Sequence, residues 1–249
     1  MNMDILAIIP GRKGSKGVLN KNIQEINGKP LISYSIEAAL NSKFIKRIVV
    51  SSDSEKILEI ANGYNVEMGK NSKSAKKIKN PKNIESIKRP EHLSQDDSTT
   101  MDVIKHVLDT LNHEKDYFPD IIILLQPTSP LRDFNDIDEA IKIFLDEKNV
   151  DSLVSVCKFD HNPLWGFKLN NNILTPAFGE EFLKKRRQEL PDLFLPNGAI
   201  FIGKTDKIIE NNSFYAKKTM AFLMSSEKSL DIDTELDLKI VKCVMNHEK

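Results

Sequence analysis

A loop dense in glycine and basic side chains follows the first apolar segment of the chain. Residues 10–22 read PGRKGSKGVLNKN and contain four basic residues and no acidic one. Glycine lacks a Cβ atom, so backbone N–H groups in such a loop can approach an anion closely. The loop therefore favours phosphate binding over a merely solvated turn. The groups that would contact the anion are Arg12, Lys13, Ser15, Lys16 and Lys21, with Gly11, Gly14 and Gly17 between them.

Two common nucleotide-binding patterns do not fit this loop. The P-loop pattern needs glycine five residues after Gly11, where the chain has Lys16. The dinucleotide pattern needs glycine two residues before Gly14, where the chain has Arg12. The loop is thus predicted to hold a triphosphate in another way.

Two aspartates near the C-terminus form a candidate metal site. In the segment SLDIDTELDLK, Asp231 and Asp233 are two residues apart. In extended chain such side chains point the same way, with Cα atoms roughly 6.6 Å apart. Two carboxylates so placed suit Mg²⁺ bound to a triphosphate. In the alternative interpretation, Asp233 or Thr234 caps the last helix and Asp231 is a surface acid.

A third polar segment, LLQPTSPLR at residues 124–132, follows an apolar strand directly. Its two prolines predict a rigid turn that presents Gln126, Thr128, Ser129 and Arg132. A rigid turn can hold a polyhydroxylated ligand at little ordering cost. The alternative is a stiff connection from strand to helix.

The elements that must position these residues alternate between strands and helices. DILAII, RIVVSS, DIIILLQ and SLVSVCKF are predicted strands, and helices are predicted over GKPLISYSIEAALNS, DSEKILEIANGY, TTMDVIKHVLDTLNHE and DIDEAIKIFLDEK. Asn62-Gly63 is expected to end the second helix. After residue 197, GAIFIG and KTMAFLM predict further strands, and a final helix begins near Thr234. This alternation predicts a three-layer α/β/α fold, Rossmann-like, with a mostly parallel sheet. In such sheets ligands bind beyond the carboxyl ends of the strands, where the basic loop lies.

Two segments interrupt the alternation within the single domain predicted for residues 1–249. Residues 158–197 contain several prolines, Trp165 and the basic cluster KKRRQ, and are predicted to be an inserted arm. Residues 68–86 are rich in lysine and have no apolar period, which predicts a solvated loop.

Composition excludes several functional classes. Lys+Arg and Asp+Glu both total 36, so no overall field favours a nucleic acid or a membrane. Neither partner is therefore predicted. The basic 70–89 segment also lacks the interleaved aromatics of an RNA-binding surface. The two cysteines predict neither a disulfide framework nor a zinc site, and we expect two buried reduced thiols. Short apolar runs and the early Asp4 and Pro10 predict a cytoplasmic protein without a signal peptide.

Five motifs in order resemble the acylneuraminate cytidylyltransferases, the CMP-N-acetylneuraminic acid synthetases. They are IIPGRKGSKGVLNKN, KRPEHLSQD, LLQPTSPLR, PNGAIFI and SLDIDTELDL, and the likeness runs nearly end to end. The resemblance implies an α/β nucleotidyltransferase that uses CTP and Mg²⁺ to form a CMP-sugar, with release of pyrophosphate. It also implies a homodimer held by the inserted arm.

The resemblance also implies roles for individual residues. The triphosphate would be held by Arg12, Ser15, Lys16 and Lys21, and the cytidine would lie near Asn22, Arg89 and Thr100. The sugar side would comprise Gln126, Thr128, Ser129, Arg187, Phe201, Phe214 and Tyr215. The resemblance also allows Arg187 to come from the neighbouring subunit. Asp231 and Asp233 would bind the metal, and with Arg12 and Lys21 they would form the catalytic group.

Departures from the family pattern concern mainly the sugar side. The usual PAR is PGR here, Trp165 stands where some members have lysine, and Leu195-Pro196 precedes the asparagine of PNG where several have arginine. N-acetylneuraminate is the expected acceptor, with legionaminate or pseudaminate as alternatives. The eight-carbon acid Kdo is disfavoured by LDIDTELDL and the long arm. A more remote alternative is a non-catalytic nucleotide sensor on the same fold.

Overall fold

The structure, a computed structural model, describes residues 3–14, 17–69 and 82–247. Its strands are β1 (Ile5–Pro10), β2 (Glu25–Ile26), β3 (Lys29–Pro30), β4 (Arg47–Ser52), β5 (Ile84–Lys88), β6 (Ile121–Leu124), β7 (Ser152–Lys158), β8 (Phe167–Asn170), β9 (Ile173–Pro176), β10 (Phe194–Lys204) and β11 (Thr219–Leu223). Its α-helices are α1 (Leu31–Asn41), α2 (Glu55–Gly69), α3 (Thr100–Lys115), α4 (Phe134–Asp146), α5 (Glu180–Leu183), α6 (Thr205–Asn211) and α7 (Glu235–His247).

A seven-stranded sheet organises the chain. Its strand order is β11-β7-β10-β6-β1-β4-β5, and β10 runs antiparallel to both of its neighbours while the other pairs are parallel. The central strands β1 and β6 are buried along almost their whole length, as expected of parallel strands covered on both faces.

Helices cover both faces of the sheet. Residues of α1, α2 and α4 share one apolar cluster with Ile5, Ala7 and Ile9 of β1. Residues of α3 and α6 share another with the alternate residues Leu6 and Ile8. Because successive side chains of a strand point to opposite faces, one strand serves both layers. The predicted three-layer, mostly parallel α/β fold is confirmed.

Helix α3 shows how local sequence sets an element. Its buried stripe consists of Met101, Val103, Ile104, Val107, Leu108 and Leu111. Thr99 caps its N-terminus in a reciprocal capping box with Asp102. Truncating one buried leucine such as Leu108 to alanine should cost about 2–5 kcal/mol of stability.

Three sequence expectations differ from the structure. Helix α2 continues through Asn62-Gly63 to Gly69, so the predicted stop is wrong. The predicted lysine-rich loop 68–86 overlaps α2 at its start and β5 at its end, and its central residues 70–81 lie outside the described residues. Both cysteines are free, as predicted, but Cys243 is exposed and Cys157 only half-buried.

The inserted segment between β7 and β10 lies outside the main sheet. It contains the antiparallel hairpin β8–β9, whose residues are almost all exposed, and the short helix α5. Trp165 is tied to this segment by a hydrogen bond from its indole Nε1 to the Phe182 carbonyl, at 3.1 Å. Across the described ranges, no helix combines the length and apolar character needed to cross a bilayer.

Candidate active site

A polar cleft lies at the carboxyl edge of the sheet. It has a volume of about 430 Å³ and is lined by residues from widely separated parts of the chain. The predicted site residues that line it are Arg12, Lys21, Asn22, Arg89, Thr100, Gln126, Thr128, Asp231 and Asp233. The structure thus brings nine of the predicted site residues to one place.

Packing requires a glycine at position 17, and space is also limited at Gly11. A Cβ atom at Gly17 would lie 1.9 Å from the backbone oxygen of Asp233, so the basic loop and the C-terminal segment touch there. A Cβ atom at Gly11 would lie 2.9 Å from the Ile32 side chain. Gly14 has open space around it and lines the cleft. Of the three, Gly14 is therefore the one that leaves room for a ligand.

The loop cations differ in their surroundings. Arg12 pairs with Asp96 at 3.0 Å and donates to the Gln95 carbonyl at 3.2 Å. The Lys13 side chain is exposed, and its backbone N–H donates to Asp53 at 2.8 Å. Ser15 and Lys16, both predicted to contact the triphosphate, lie outside the described residues.

Lys21 connects the basic loop to the C-terminal aspartates. Its ammonium donates to the Ile232 carbonyl at 2.6 Å and pairs with the Asp233 carboxylate at 3.1 Å. Its side chain is only 12% exposed, whereas that of Asp233 is 75% exposed. Ile232 is fully buried and packs with Val18 in a small cluster that also contains residues of α7. This cluster fixes the two segments against each other.

Asp231 and Asp233 flank the buried Ile232, and both line the cleft. Burial raises the pKa of Asp231, and repulsion from Asp233 acts in the same direction, while a hydrogen bond from Thr128 and the charge of Lys21 oppose the rise. Its Oδ1 atom is buried without a hydrogen-bond partner among the described residues. An unpaired carboxylate oxygen at this position is suited to contact a cation.

Thr234, one of the two caps named in the alternative interpretation, caps the last helix, whereas Asp231 is half-buried rather than a surface acid. Thr234 and Asp237 exchange hydrogen bonds, from the Thr234 N–H to Asp237 at 2.7 Å and from the Asp237 N–H to Thr234 Oγ1 at 3.3 Å. Helix capping therefore does not occupy the Asp233 side chain, which is directed to Lys21 instead.

The residues predicted near the cytidine are held in place by hydrogen bonds or by secondary structure. Arg89 is buried and donates to the Ser51 carbonyl at 2.8 Å. The Asn22 amide donates to the Arg12 carbonyl at 2.9 Å. Thr100 is the first residue of α3, whose N-terminus therefore lies at the cleft. Burial lowers the pKa of Arg89, an effect that nearby Asp53 opposes.

The structure places some of the predicted sugar-side residues at the cleft and others away from it. Gln126 and Thr128 line the cleft, and the Thr128 carbonyl accepts a hydrogen bond from the Ile232 N–H at 2.9 Å. Ser129 is fully buried below them.

Four other predicted sugar-side residues do not line this cleft. Phe201 and Phe214 pack together, with ring centroids 5.5 Å apart, and Tyr215 is exposed. Arg187 lines a separate cavity of about 230 Å³ formed by the inserted segment.

Some cleft residues were not predicted from the sequence. Gln95 and Asp96 belong to the 94–99 segment between a short 3₁₀ helix and α3, and reach Arg12 across the cleft. Both residues lie at the end of the KRPEHLSQD motif, but their immediate context is the SQDD polar run, which is common in solvated loops and assigns them no role. Contact with Arg12 is a property of the folded chain that local pattern does not predict.

Comparison with known proteins agrees with this arrangement. Residues 6–173 match the family model described as cytidylyltransferase. A solved structure, CMP:2-keto-3-deoxy-manno-octonic acid synthetase complexed with CTP, superimposes with a TM-score of 0.69 at 16% identity, covering 99% of this chain and 100% of that one. At this identity the likeness shows the fold alone.

Two relatives in sequence cover nearly all of this chain. The N-acylneuraminate cytidylyltransferase of Escherichia coli O18:K1:H7 is 33% identical over 240 residues, which are 96% of this chain and 52% of that protein. The chain therefore spans about half the length of that relative. The CMP-N,N'-diacetyllegionaminic acid synthase of Legionella pneumophila is 36% identical over 248 residues, 98% of this chain and 97% of that protein. On the matched family model and these two similarities, the chain belongs to the cytidylyltransferase family.

Proposed function

We propose that this protein is a CMP-sugar synthetase. It transfers CMP from CTP to the anomeric hydroxyl of a nine-carbon α-keto acid sugar, N-acetylneuraminate first among them, and releases pyrophosphate. The observation that carries the proposal is that Arg12, Lys21 and Arg89 line the same cleft as Asp231 and Asp233. Three cations beside two carboxylates suit a triphosphate that carries a hard metal ion.

The choice of cytidine is supported by family membership and by the residues on one side of the cleft. Lysine and arginine cannot distinguish bases, because every nucleotide has phosphates. Discrimination between bases needs hydrogen bonds to the edge of the pyrimidine. A wrong base that leaves a buried polar group of the site unpaired can have a kcat/KM lower by roughly 10⁴-fold. Asn22, Arg89 and the backbone around them are our candidates for this contact.

Mg²⁺ is the metal we propose, and the residues present fit it. Asp231 and Asp233 offer carboxylate oxygens, which hard cations prefer, and the buried Oδ1 of Asp231 lacks a partner in the described part of the chain. No cluster of three or more acidic, histidine or cysteine ligands occurs in the described ranges, which agrees with an ion completed by phosphate and water. When bound, Mg²⁺ would offset phosphate charge and lower the pKa of the attacking hydroxyl.

The chain's own residues would stabilise the charge that develops during transfer. The anomeric oxygen attacks the α-phosphorus in line, and the bond to the pyrophosphate oxygen breaks. Arg12 and Lys21 would offset the charge that grows on the phosphate oxygens, an effect worth about 10²–10³ in turnover for each preorganised donor. One of the two aspartates would accept the hydroxyl proton.

We also propose a homodimer held by the inserted segment. Its hairpin and the following loop expose large apolar side chains, among them Phe167, Leu169, Ile173, Leu174 and Phe178. Several exposed large apolar side chains within one short segment are typical of an interface. Arg187 would then approach the sugar carboxylate of the neighbouring subunit, in keeping with its position in a separate cavity rather than in the cleft of its own chain. Light scattering coupled to size exclusion measures the assembly; a monomer at micromolar concentration would contradict it.

The acceptor is tested with a panel of sugar acids. Purified protein, CTP and Mg²⁺ are mixed with N-acetylneuraminate, legionaminate, pseudaminate or Kdo, and pyrophosphate release is followed. We expect the highest kcat/KM with N-acetylneuraminate. Legionaminate remains the second candidate because the Legionella relative is named for that acid and is similar over its full length. A higher kcat/KM with legionaminate would show that legionaminate is the acceptor, and the proposed reaction would be unchanged. Absence of turnover with every acid would overturn the proposed function and favour a nucleotide sensor.

A further inference from the structure

Arg132 is a buried cation directly beneath the cleft. It is 1% exposed and is the largest of the fully buried side chains in the described part of the chain. It stands at the end of the rigid 126–132 turn, next to Asp133, the N-cap of α4. Burying a guanidinium carries a large desolvation penalty, and an apolar side chain of similar volume is often at least as stabilising. Its contacts therefore need an explanation beyond stability.

The guanidinium joins three elements. Its Nη2 donates to Ser35 Oγ of α1 at 2.7 Å and to the Gln126 carbonyl at 3.3 Å. Its Nε donates to the Ala199 carbonyl of β10 at 3.4 Å. Nη1 has no hydrogen-bond partner among the described residues, so the site does not satisfy the guanidinium fully.

The Gln126 carbonyl is the point at which these contacts converge. Besides Arg132, it accepts hydrogen bonds from Ser35 Oγ at 3.3 Å and from the Ser129 N–H at 3.4 Å. Three donors on one carbonyl fix the orientation of the peptide plane that follows Gln126. The direction in which the Gln126 side chain leaves the backbone is fixed with it.

The Gln126 side chain is constrained from its other end as well. A Cβ atom at Gly198 would lie 2.7 Å from Gln126 Oε1, so the amide rests against this glycine, which has a φ of +75°. Gln126 also lines the cleft. Its backbone carbonyl is thus held by hydrogen bonds, and its amide lies against Gly198, before any ligand binds.

The charge on Arg132 is partly offset by two carboxylates at the start of α4, the N-cap Asp133 and Asp136. Burial lowers its pKa to about 10, and Asp136 and Asp133 oppose this effect, so the group remains a cation at neutral pH. The same carboxylates hold Lys228, with Nζ 2.8 Å from Asp136 and 3.2 Å from Asp133. Lys228 lies three residues before Asp231, so the start of α4 supports both the turn and the aspartate segment.

From these contacts we infer that Arg132 is a positioning residue that orients Gln126 toward the sugar acceptor. Arg132 does not itself line the cleft; it acts through the peptide of Gln126. The inference rests on the proposed function, because only that function supplies a sugar acceptor for Gln126 to contact. A preorganised amide improves acceptor binding, whereas CTP is held by the other side of the cleft.

The test compares substitutions at Arg132 and Ser35. Arg132→Met removes the cation at similar volume, Arg132→Lys retains the charge, and Ser35→Ala removes one donor to the Gln126 carbonyl. Ser33→Ala is the matched control, since Ser33 is also buried in α1 but lies two residues away on another face. Steady-state KM for sugar and for CTP, kcat and Tm are measured for each.

We expect Arg132→Met to lower kcat/KM for the sugar by about 10- to 100-fold, with the KM for CTP within about twofold of wild type. Arg132→Lys should recover part of the loss, Ser35→Ala should shift the same parameter less, and Ser33→Ala should change neither substrate's kinetics. If Arg132→Met does not fold, the Arg132→Lys and Ser35→Ala variants carry the test.

Two results would overturn the inference, and they are distinguishable. In the first, the wild-type enzyme turns over, but the folded variants change the kcat/KM for sugar and for CTP equally or not at all. This result overturns the positioning role alone. A wild-type protein that releases no pyrophosphate with any acid overturns the proposed function, and the inference with it.

Discussion

The ammonium of Lys21 lies 3.1 Å from the carboxylate of Asp233, which joins the basic loop after the first strand to the segment before the last helix. The two residues are 212 positions apart. The contact is reinforced by the absence of a side chain at Gly17, where the Asp233 carbonyl packs. Lys21, a phosphate-binding candidate, and Asp233, a metal-binding candidate, therefore belong to the same site.

Lys21→Met should lower kcat/KM for CTP by about 10²- to 10³-fold, the usual cost of one preorganised donor. The largely buried methylene stem is preserved, so the fold should persist. Pyrophosphate release and circular dichroism check both points. Lys207→Met is the matched control, because Lys207 forms an ion pair with Glu210 away from the cleft. An equal loss of kcat/KM for CTP in both variants would show that Lys21 does not contact the nucleotide.

Asp233→Asn should almost abolish turnover while leaving Tm nearly unchanged. The side chain is 75% exposed, so it contributes little to folding, and an amide is a poor ligand for Mg²⁺ compared with a carboxylate. Rate against Mg²⁺ concentration and thermal unfolding in EDTA are the two measurements. Wild-type turnover in this variant would show that the metal role is wrong.

Asp231→Asn should raise Tm at neutral pH in EDTA, although it should reduce activity. Burial raises the pKa of Asp231, so the native state binds its proton more tightly than the unfolded chain does. The stability gained from this tighter proton binding is present below the pKa of an unfolded aspartate. It is lost as the pH rises through the pKa of Asp231 in the folded protein. At neutral pH the ionised group therefore destabilises the fold, and the gain in Tm should shrink as the pH falls toward about 4.

Asp237→Asn serves as a control of opposite sign. The hydrogen bond from Thr234 holds the pKa of Asp237 below its ordinary value, so this carboxylate stabilises the fold above the unfolded pKa. The substitution should lower Tm at neutral pH, with a smaller loss in acid. A Tm profile for Asp231→Asn that runs parallel to that of Asp237→Asn would contradict the burial of Asp231.

Arg187→Ala should raise the KM for the sugar much more than the KM for CTP. Arg187 lines a cavity of the inserted segment rather than the cleft, so the effect is expected only if a second subunit brings it to the acceptor. Arg186→Ala, its neighbour in the chain, is the control. An unchanged sugar KM in a dimeric Arg187→Ala protein would exclude a contact with the sugar carboxylate.

Much of the fold follows from patterns within single segments. The apolar stripe of α3 predicts its buried face because Met101, Ile104 and Leu108 recur at helical spacing. The strand-end rule places the basic loop at the carboxyl edge of the sheet, where the structure has the cleft. Asn62-Gly63 failed as a stop signal. A Cβ at Gly63 would meet no atom within 4 Å, and the residues before it, Ile57 and Ala61, are anchored in the core.

Contacts between distant segments could not be predicted in this way. No local pattern indicates that Asp96 pairs with Arg12, or that Arg132 donates to Ser35 of α1. These contacts depend on how loops pack once the sheet has formed. The sequence therefore predicts which residues gather at the site better than it predicts what holds them there.

The nucleotide dependence of pyrophosphate release tests the central claim most directly. Purified protein is given N-acetylneuraminate and Mg²⁺ with CTP, UTP or ATP in turn, and initial rates are compared at equal concentration. We predict repeated turnover with CTP that stops when the sugar or Mg²⁺ is withheld, and rates with UTP and ATP lower by orders of magnitude. Equal rates with all three nucleotides, or release that does not depend on the sugar, would contradict a CTP-dependent transfer in this cleft.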